Sequence, residues 1–381
     1  MNDRNSEVAG WLRDLAFVQK SSQSRWGYKR AASAVLYLPV QIDTLLNEDG
    51  TLQKIPHVGP ASTRVILEVL NTGSSPIVDA AVDAAEPKTR ADILRRRGLR
   101  SNFLSRAAAA EAMRARKPDA PSPSDVLCDL QMHSDWSDGA QTLEEIIETG
   151  ISRNYTHSAV TDHSYGLPIA GGLPMAKVAQ QHREIDGLNA KYDGQFRLLK
   201  GIEANIRADG SVDMTLDELA QMEIVVAAPH SALRSTADQT PRMIGAVQTP
   251  GVHILGHPRG RMYGSRPGVT ADWEKVFRVA ARAGVAIELD GDPSRQDLDF
   301  DLARLAMPSG CLFAIDSDAH ATDQWWYAET ALAHARIAGI PRSRIINCWP
   351  LPELLKWVKE QAARDKVESA TAELESRQLV R

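Results

Sequence analysis

The stretch Asp129-Leu130-Gln131-Met132-His133-Ser134-Asp135-Trp136-Ser137-Asp138-Gly139 decides the fold, because a strand-like apolar run, Val126 to Leu130, ends there in a cluster of potential metal ligands. Side chains two apart on a strand share a face, so Gln131 and His133 project together from one strand end. Asp138 follows in a Ser-Asp-Gly turn. The same plan recurs downstream. Short apolar runs end in Asp162-His163 (after Ser158 to Thr161), Glu203 (after Leu198 to Ile202), His230 (after Ile224 to Pro229), His257-Pro258 (after His253 to Gly256) and Asp316-Ser317-Asp318-Ala319-His320 (after Leu312 to Ile315). Strands alternating with helical stretches predict an α/β fold, a β/α barrel, whose chemistry sits at the C-terminal ends of the strands. One ring of imidazole and carboxylate ligands results.

Composition sets the frame. With 381 residues, 43% of them hydrophobic, the chain is long enough for a barrel and a smaller domain. Cys128, Cys311 and Cys348 have no paired spacing, which argues against a disulfide framework or a Cys-based zinc site and for a cytoplasmic home, with all three read as small core residues. No segment has the apolar length of a signal peptide or a membrane span. The net charge of −5 conceals an asymmetry. Residues 1–125 carry 18 Lys+Arg against 14 Asp+Glu, and the remainder 26 against 35. An acidic barrel fits metal binding, and a basic front end fits a polyanionic partner.

The order of the motifs, over roughly Val126 to Glu360, resembles the polymerase and histidinol phosphatase (PHP) domain, a distorted seven-stranded β/α barrel. Trp136-Ser137-Asp138-Gly139, Gly201-Ile202-Glu203, Gly256-His257-Pro258-Arg259-Gly260-Arg261 and Asp318-Ala319-His320 look most like the PHP module of bacterial family X DNA polymerases. The resemblance implies up to three divalent ions, Zn²⁺, Mn²⁺ or Fe²⁺. One site would use Gln131, His133, Glu203 and Asp318, with Glu203 bridging to a second that adds His230 and His257. A third would use Asp138, His163 and His320. The implied reaction is attack on a phosphoester by a metal-activated hydroxide. Gln131 departs from the pattern, since the family carries His-x-His there and an amide oxygen is a weaker ligand. Arg259, Arg261 and Arg295 are candidates to hold a phosphate bidentately, or to pair with nearby carboxylates. His57, His157, His182, His253 and His334 are read as ordinary core or surface histidines.

The front end, residues 1–86, is expected to be a small helical domain. Val8, Trp11, Leu12, Leu15 and Val18 recur at helical spacing, a second helix runs from about Tyr28 to Leu38, and a third covers Gln41 to Leu46. The stretch Leu52 to Ile66 resembles a helix-hairpin-helix, in which a Gly-rich turn directs backbone N–H groups at a nucleic-acid phosphate. Val58, Gly59, Ala61 and Arg64 are then the expected contacts to the DNA backbone, without sequence specificity. His57 replaces the first Gly of that motif, and Pro60 lacks an N–H. With Arg25 to Ala32, the region is similar to the N-terminal domain of family X polymerases. Val65 aligns with their Schiff-base Lys, so lyase chemistry is not expected. Ten Lys+Arg between Lys88 and Lys117 face only Asp92 and Glu111, and Lys117 to Ser124 is Pro-rich, so residues 87–125 read as a basic linker. Roughly forty residues there are too few for a polymerase palm, so no nucleotide polymerisation is expected. Residues 361–381 read as a charged helical tail.

The functional expectation is a metal-dependent phosphoesterase acting on DNA, as a 3′–5′ exonuclease or in repair-end processing. A small-metabolite phosphatase of the histidinol-phosphatase type and a catalytically inactive DNA-binding scaffold are the alternatives.

Overall fold

The computed structural model describes residues 3–115 and 118–361. It divides into two compact units, Met1–Arg116 with Met262–Arg266, and Lys117–Arg261 with Pro267–Arg381. The expected tail helix from residue 362 onward, and Arg116 and Lys117 of the basic run, lie outside the described residues.

The first unit contains α1 (Arg4–Val18), α2 (Ser22–Leu36), α3 (Pro60–Thr72), α4 (Pro76–Asp83), α5 (Pro87–Gly98) and α6 (Arg106–Arg114). Asp3 caps α1, its carboxylate accepting the Ser6 N–H at 3.0 Å. Val8, Leu12 and Leu15, spaced at one helical face, share a core with Ala31, Ala32 and Val35 of α2 and Val65, Ile66 and Val69 of α3. Ser21 caps α2, which therefore begins at Ser22 and not near Tyr28, and the third expected helix is only a 3₁₀ turn, Ile42–Leu45. The linker expected over 87–125 is corrected in its first part. Ile93 of α5 enters the core, and two arginines of the basic run, Arg97 and Arg100, each reach the buried carboxylate of Asp14 at 2.6 Å. A buried carboxylate requires such partners, so part of the basic run is committed to folding.

In the second unit six parallel strands lie in sequence order: β1 (His157–Val160), β2 (Arg197–Asn205), β3 (Ile224–Ala228), β4 (Ile254–Leu255), β5 (Ala286–Asp290) and β6 (Phe313–Asp316). Helix α7 (Leu143–Ser152) precedes β1. Helices α8 (Met175–Lys191), α9 (Leu216–Leu219), α10 (Thr240–Val247), α11 (Trp273–Ala283) and α12 (Phe300–Ala306) fill the crossovers, and α13 (Tyr327–Ala338) follows β6. Burial on both faces explains why the strands read as unbroken apolar runs; every residue of β3 is buried.

Residues 126–133, which include the strand-like run expected from Val126 to Leu130, form an extended segment inserted between β1 and β6. On one side the carbonyls of Leu127, Asp129 and Met132 accept from Thr156, Ala159 and Thr161 N–H at 2.9, 3.0 and 2.8 Å. On the other, Leu127 and His133 N–H donate to the Asn347 and Ala319 carbonyls at 2.8 and 2.9 Å, and Asp318 N–H donates to the Gln131 carbonyl. Side chains take several N–H groups that a ladder would pair with carbonyls: Asp129 donates to Ser158 Oγ, Leu130 to Asp316 Oδ1 and Met132 to Thr161 Oγ1. Those substitutions break the ladder yet leave the backbone satisfied. The segment thereby joins both edges of the sheet and closes a seven-membered barrel. Cys128, Cys311 and Cys348 are buried free thiols.

Candidate metal centre

Each ligand candidate stands at or just past the C-terminal end of its barrel element. Asp138 is brought in by the turn after His133, where Gly139 packs so closely on the His133 carbonyl that no Cβ would fit. His163 follows β1, Glu203 lies within β2, His230 follows β3, His257 follows β4, and Asp318 and His320 follow β6. His257 and Asp318 both adopt left-handed φ values, 22° and 52°, which turn their side chains out of the strand direction.

Glu203, wholly buried, is the hub. Its Oε1 lies 3.2 Å from His230 Nε2 and 3.0 Å from His257 Nε2, and its Oε2 lies 3.0 Å from His163 Nδ1 and 3.3 Å from His133 Nε2. His133 Nε2 is also 3.1 Å from Asp318 Oδ1. Asp138 Oδ1 faces His163 Nε2 and His320 Nε2, each at 3.5 Å, and His133 Nδ1 at 3.9 Å. Three sets of side chains therefore offer ligand atoms within 4.8 Å of one another: His133, Asp138, His163 and His320; His163, Glu203 and His230; and His133, Glu203 and Asp318. These sets overlap the three expected from the sequence, with His133 and His163 each shared between two of them. Arg295 occupies the other Asp318 oxygen.

The donors fit divalent ions. Glu203 Oε2 and the Nδ1 atoms of His133 and His163 are buried without an aligned hydrogen bond, Oε2 beside His163 Nδ1 and His133 Nδ1 turned toward Asp138, as ligand atoms turned toward cations would be. Charge tells the same story. Burial works against a charged imidazole at His163, yet the Glu203 and Asp138 carboxylates overcome it and push its pKa up to about 10. Burial likewise opposes ionisation of Glu203, but His163 and His230 hold it well below the usual carboxylate range. In both cases the pocket selects positive charge between its carboxylates. His133, by contrast, is lowered by burial and by His163.

Other neighbours fix the ligands. Asn205 Oδ1 meets His230 Nδ1 at 3.2 Å, and the His320 Nδ1 meets the Asp318 carbonyl at 2.8 Å. Asp162, adjacent to His163, accepts from Ser134 N–H, Ser134 Oγ, Ser137 Oγ and Gln181. The available signal was alternation: Asn205 lies two residues beyond Glu203 on β2, on the same face.

The three arginines take the second of the two roles expected of them, pairing with carboxylates. Arg259 Nε and Nη2 bind Asp297 at 3.0 Å and Asp299 at 2.6 Å, and Arg261 Nη1 binds Asp299 at 3.1 Å while its Nη2 donates to the Gln296 carbonyl. Burial would raise Asp299, but the two guanidiniums hold its carboxyl at about 2. Arg259 and Arg261 thus brace the loop after His257 against buried carboxylates, and Arg295 pairs with Asp318. Their forks are engaged by the protein itself. Gln131 is buried beside Gly256, and its amide nitrogen, assigned from its surroundings, donates to Glu288 at 2.6 and 3.2 Å. Of the histidines read as ordinary, His157, His253 and His334 are buried, with His334 Nε2 on the Gln296 side chain, His182 is half-buried and His57 is exposed.

In the first unit α3 starts at Pro60 with Gly59 as its N-cap. His57 adopts φ 64°, supplying the left-handed turn for which the hairpin otherwise uses glycine. Gly59, Ala61 and Arg64 are exposed. Val58 is not available as expected, because its N–H donates to the Ile55 carbonyl and its side chain packs on the core.

A closed parallel barrel whose strand ends converge buried imidazoles and carboxylates defines a metal-dependent hydrolase. The chain belongs to the PHP family of metal-dependent phosphoesterases. It is 32% identical over 226 residues to a protein named "probable phosphatase" from Shewanella sp. W3-18-1, covering 55% of this chain and 82% of that one. It is 35% identical over 232 residues to DNA polymerase/3′-5′ exonuclease PolX of Bacillus subtilis, covering 61% of this chain and 40% of PolX, so the alignment spans two-fifths of that relative's length. Residues 3–75 match the family model described as a helix-hairpin-helix domain. Among solved structures, the chain is similar to a histidinol phosphate phosphatase of Lactococcus lactis at 17% identity and a TM-score of 0.41, over 56% of this chain and 92% of that one.

Proposed function

We propose that the chain hydrolyses phosphodiester bonds of DNA, trimming or processing ends, with Gln131, His133, Asp138, His163, Glu203, His230, His257, Asp318 and His320 as the metal-holding set. The observation that carries the hydrolase part is Glu203, one buried carboxylate meeting four imidazoles within 3.3 Å. Zn²⁺, Mn²⁺ or Fe²⁺ suits such mixed imidazole and carboxylate donors. Divalent ions there would lower the pKa of a water and neutralise phosphoryl oxygens. The chain's own residues orient: Asn205 and the Asp318 carbonyl fix two imidazoles, and the Asp297 and Asp299 pairs fix the loop bearing His257. The hairpin match over residues 3–75 and the PolX relative support DNA as the substrate.

The test uses the purified full chain with Mn²⁺ or Zn²⁺, on labelled single-stranded and gapped DNA beside a small phosphomonoester. Release of nucleotides from DNA is expected. Hydrolysis of the small ester alone would reject the DNA reading in favour of a metabolite phosphatase. Inactivity on all substrates, with metal bound, would identify a scaffold.

A further inference from the structure

Glu288 is the second residue of an Ile-Glu-Leu-Asp run on β5, fully buried, and neither of its oxygens meets a cationic side chain among the described ion pairs. Its two oxygens serve two different ligand-bearing positions. Oε2 accepts the backbone N–H of His257, the residue held at φ 22°. Oε1 lies 2.6 Å from the side-chain amide of Gln131, which donates to it when its nitrogen is turned toward Glu288. A carboxylate that reaches one barrel element on each side of the cluster has the form of an outer support for metal ligands.

We propose that Glu288 is a positioning residue, fixing the Gln131 amide by its nitrogen so that the carbonyl oxygen is the donor offered to an ion shared with His133, Glu203 and Asp318. The inference rests on the metal-centre reading above. An amide is ambivalent: one side donates and the other accepts, and only its neighbours decide which side a cation meets. Ionised, Glu288 decides it by accepting, although burial beside Asp316 and Asp290 raises its carboxyl well above the usual carboxylate range. The resulting donor set contains three oxygens and one imidazole, whereas the neighbouring sets are richer in imidazole, so this site favours a harder ion such as Mn²⁺ over Zn²⁺. Gln131 in place of an imidazole then changes the preference of a site and does not abolish it.

Substitution Glu288→Gln reads this out. Its carbonyl would keep the His257 N–H, while its NH₂ would face Gln131 and force that amide to turn, presenting N–H groups to the ion. The full chain, stripped and reloaded with Mn²⁺ alone, would be analysed for ions per chain and for affinity by calorimetry. The variant is expected to bind one ion about 10–100-fold more weakly than the wild type, with the melting temperature of the metal-free protein unchanged or raised. Gln131→Leu is expected to lose the same ion, and the double variant no further one. If Glu288 instead carried a proton on Oε1 and donated it to Gln131, Glu288→Gln would mimic it and leave every affinity unchanged; that result overturns the proposal. Full Mn²⁺ stoichiometry and affinity in Gln131→Leu overturns it as well, and does not depend on the first variant folding. Failure of the wild-type chain to bind any ion would sink the metal centre itself, a distinct outcome.

Discussion

Replacing Asp299 by Ala removes the carboxylate that Arg259 and Arg261 share, and its cost can be worked from two directions. The side chain is 4% exposed, and its oxygen lies 2.6 Å from Arg259 Nη2 and 3.1 Å from Arg261 Nη1. Breaking a buried pair by deleting one partner costs on the order of 3–5 kcal/mol. Arg259 keeps Asp297 at 3.0 Å and Arg261 keeps backbone carbonyls, which places the loss at the lower end, about 3 kcal/mol. The second route is pH linkage. The folded carboxyl sits at about 2 against an ordinary 3.8, and at 1.36 kcal/mol per pH unit that difference is worth about 2 kcal/mol. The sign is that of a depressed carboxyl: the contribution is complete above the unfolded value and is lost as pH falls through the folded one. Urea unfolding at pH 7 and at pH 3, monitored on the transition of the barrel, measures both. The variant should melt roughly 6–12 °C lower at neutral pH. The gap to wild type should narrow as pH falls below about 4. A destabilisation under 0.5 kcal/mol at pH 7, or a gap independent of pH, would refute the reasoning.

Three further outcomes are expected. Glu203→Gln, which preserves volume but removes the charge shared by four imidazoles, should lower phosphoesterase activity by about a hundred-fold or more and reduce bound metal, with circular dichroism unchanged. Metal binding at pH 7 should expel a proton from His163, whose pKa lies near 10 without the ion, so calorimetry in buffers of different ionisation enthalpy should show proton release and affinity should rise from pH 7 toward 10; no release would contradict the charge argument. Arg64→Ala should weaken binding to single-stranded DNA equally for all sequences and reduce the salt dependence by about one phosphate contact, whereas His57→Gly, which tolerates φ 64° more easily, should leave binding intact and His57→Val should lower stability.

The barrel was legible because five of its six strands, all but β5, lead into a ligand side chain, and burial on both faces removes the alternation that would blur that boundary. The ligand positions were readable for the same reason: His163, His230 and His257 all follow directly on runs such as Ile224 to Ala228. What the linear pattern withheld was pairing. Arg259 and Arg261 stand beside His257 in sequence and look poised for phosphate, yet Asp297 and Asp299, nearly forty residues on, claim them. Arg97 and Arg100 look solvated until Asp14 is found beneath them. Charge runs do not disclose their partners, and the linker expected over α5 and α6 failed on that account. Glu288 and Asn205 were given no role from the sequence because a polar residue near a strand end does not by itself show which neighbour it holds.

The insertion of residues 126–133 between the two edges of the sheet also constrains how the protein is made. That segment leaves the ribosome before any of its hydrogen-bonding neighbours: Leu130 waits for Asp316, 186 residues later, and Leu127 for Asn347. Contacts of such long separation are formed late, after loop-closure entropy has been met. The segment carrying His133 meets β1 early, through Thr156, Ala159 and Thr161, and its other edge only after β6, through Asp316 and Ala319, so a nascent chain stalled before residue 316 would hold one edge paired and leave the pocket open.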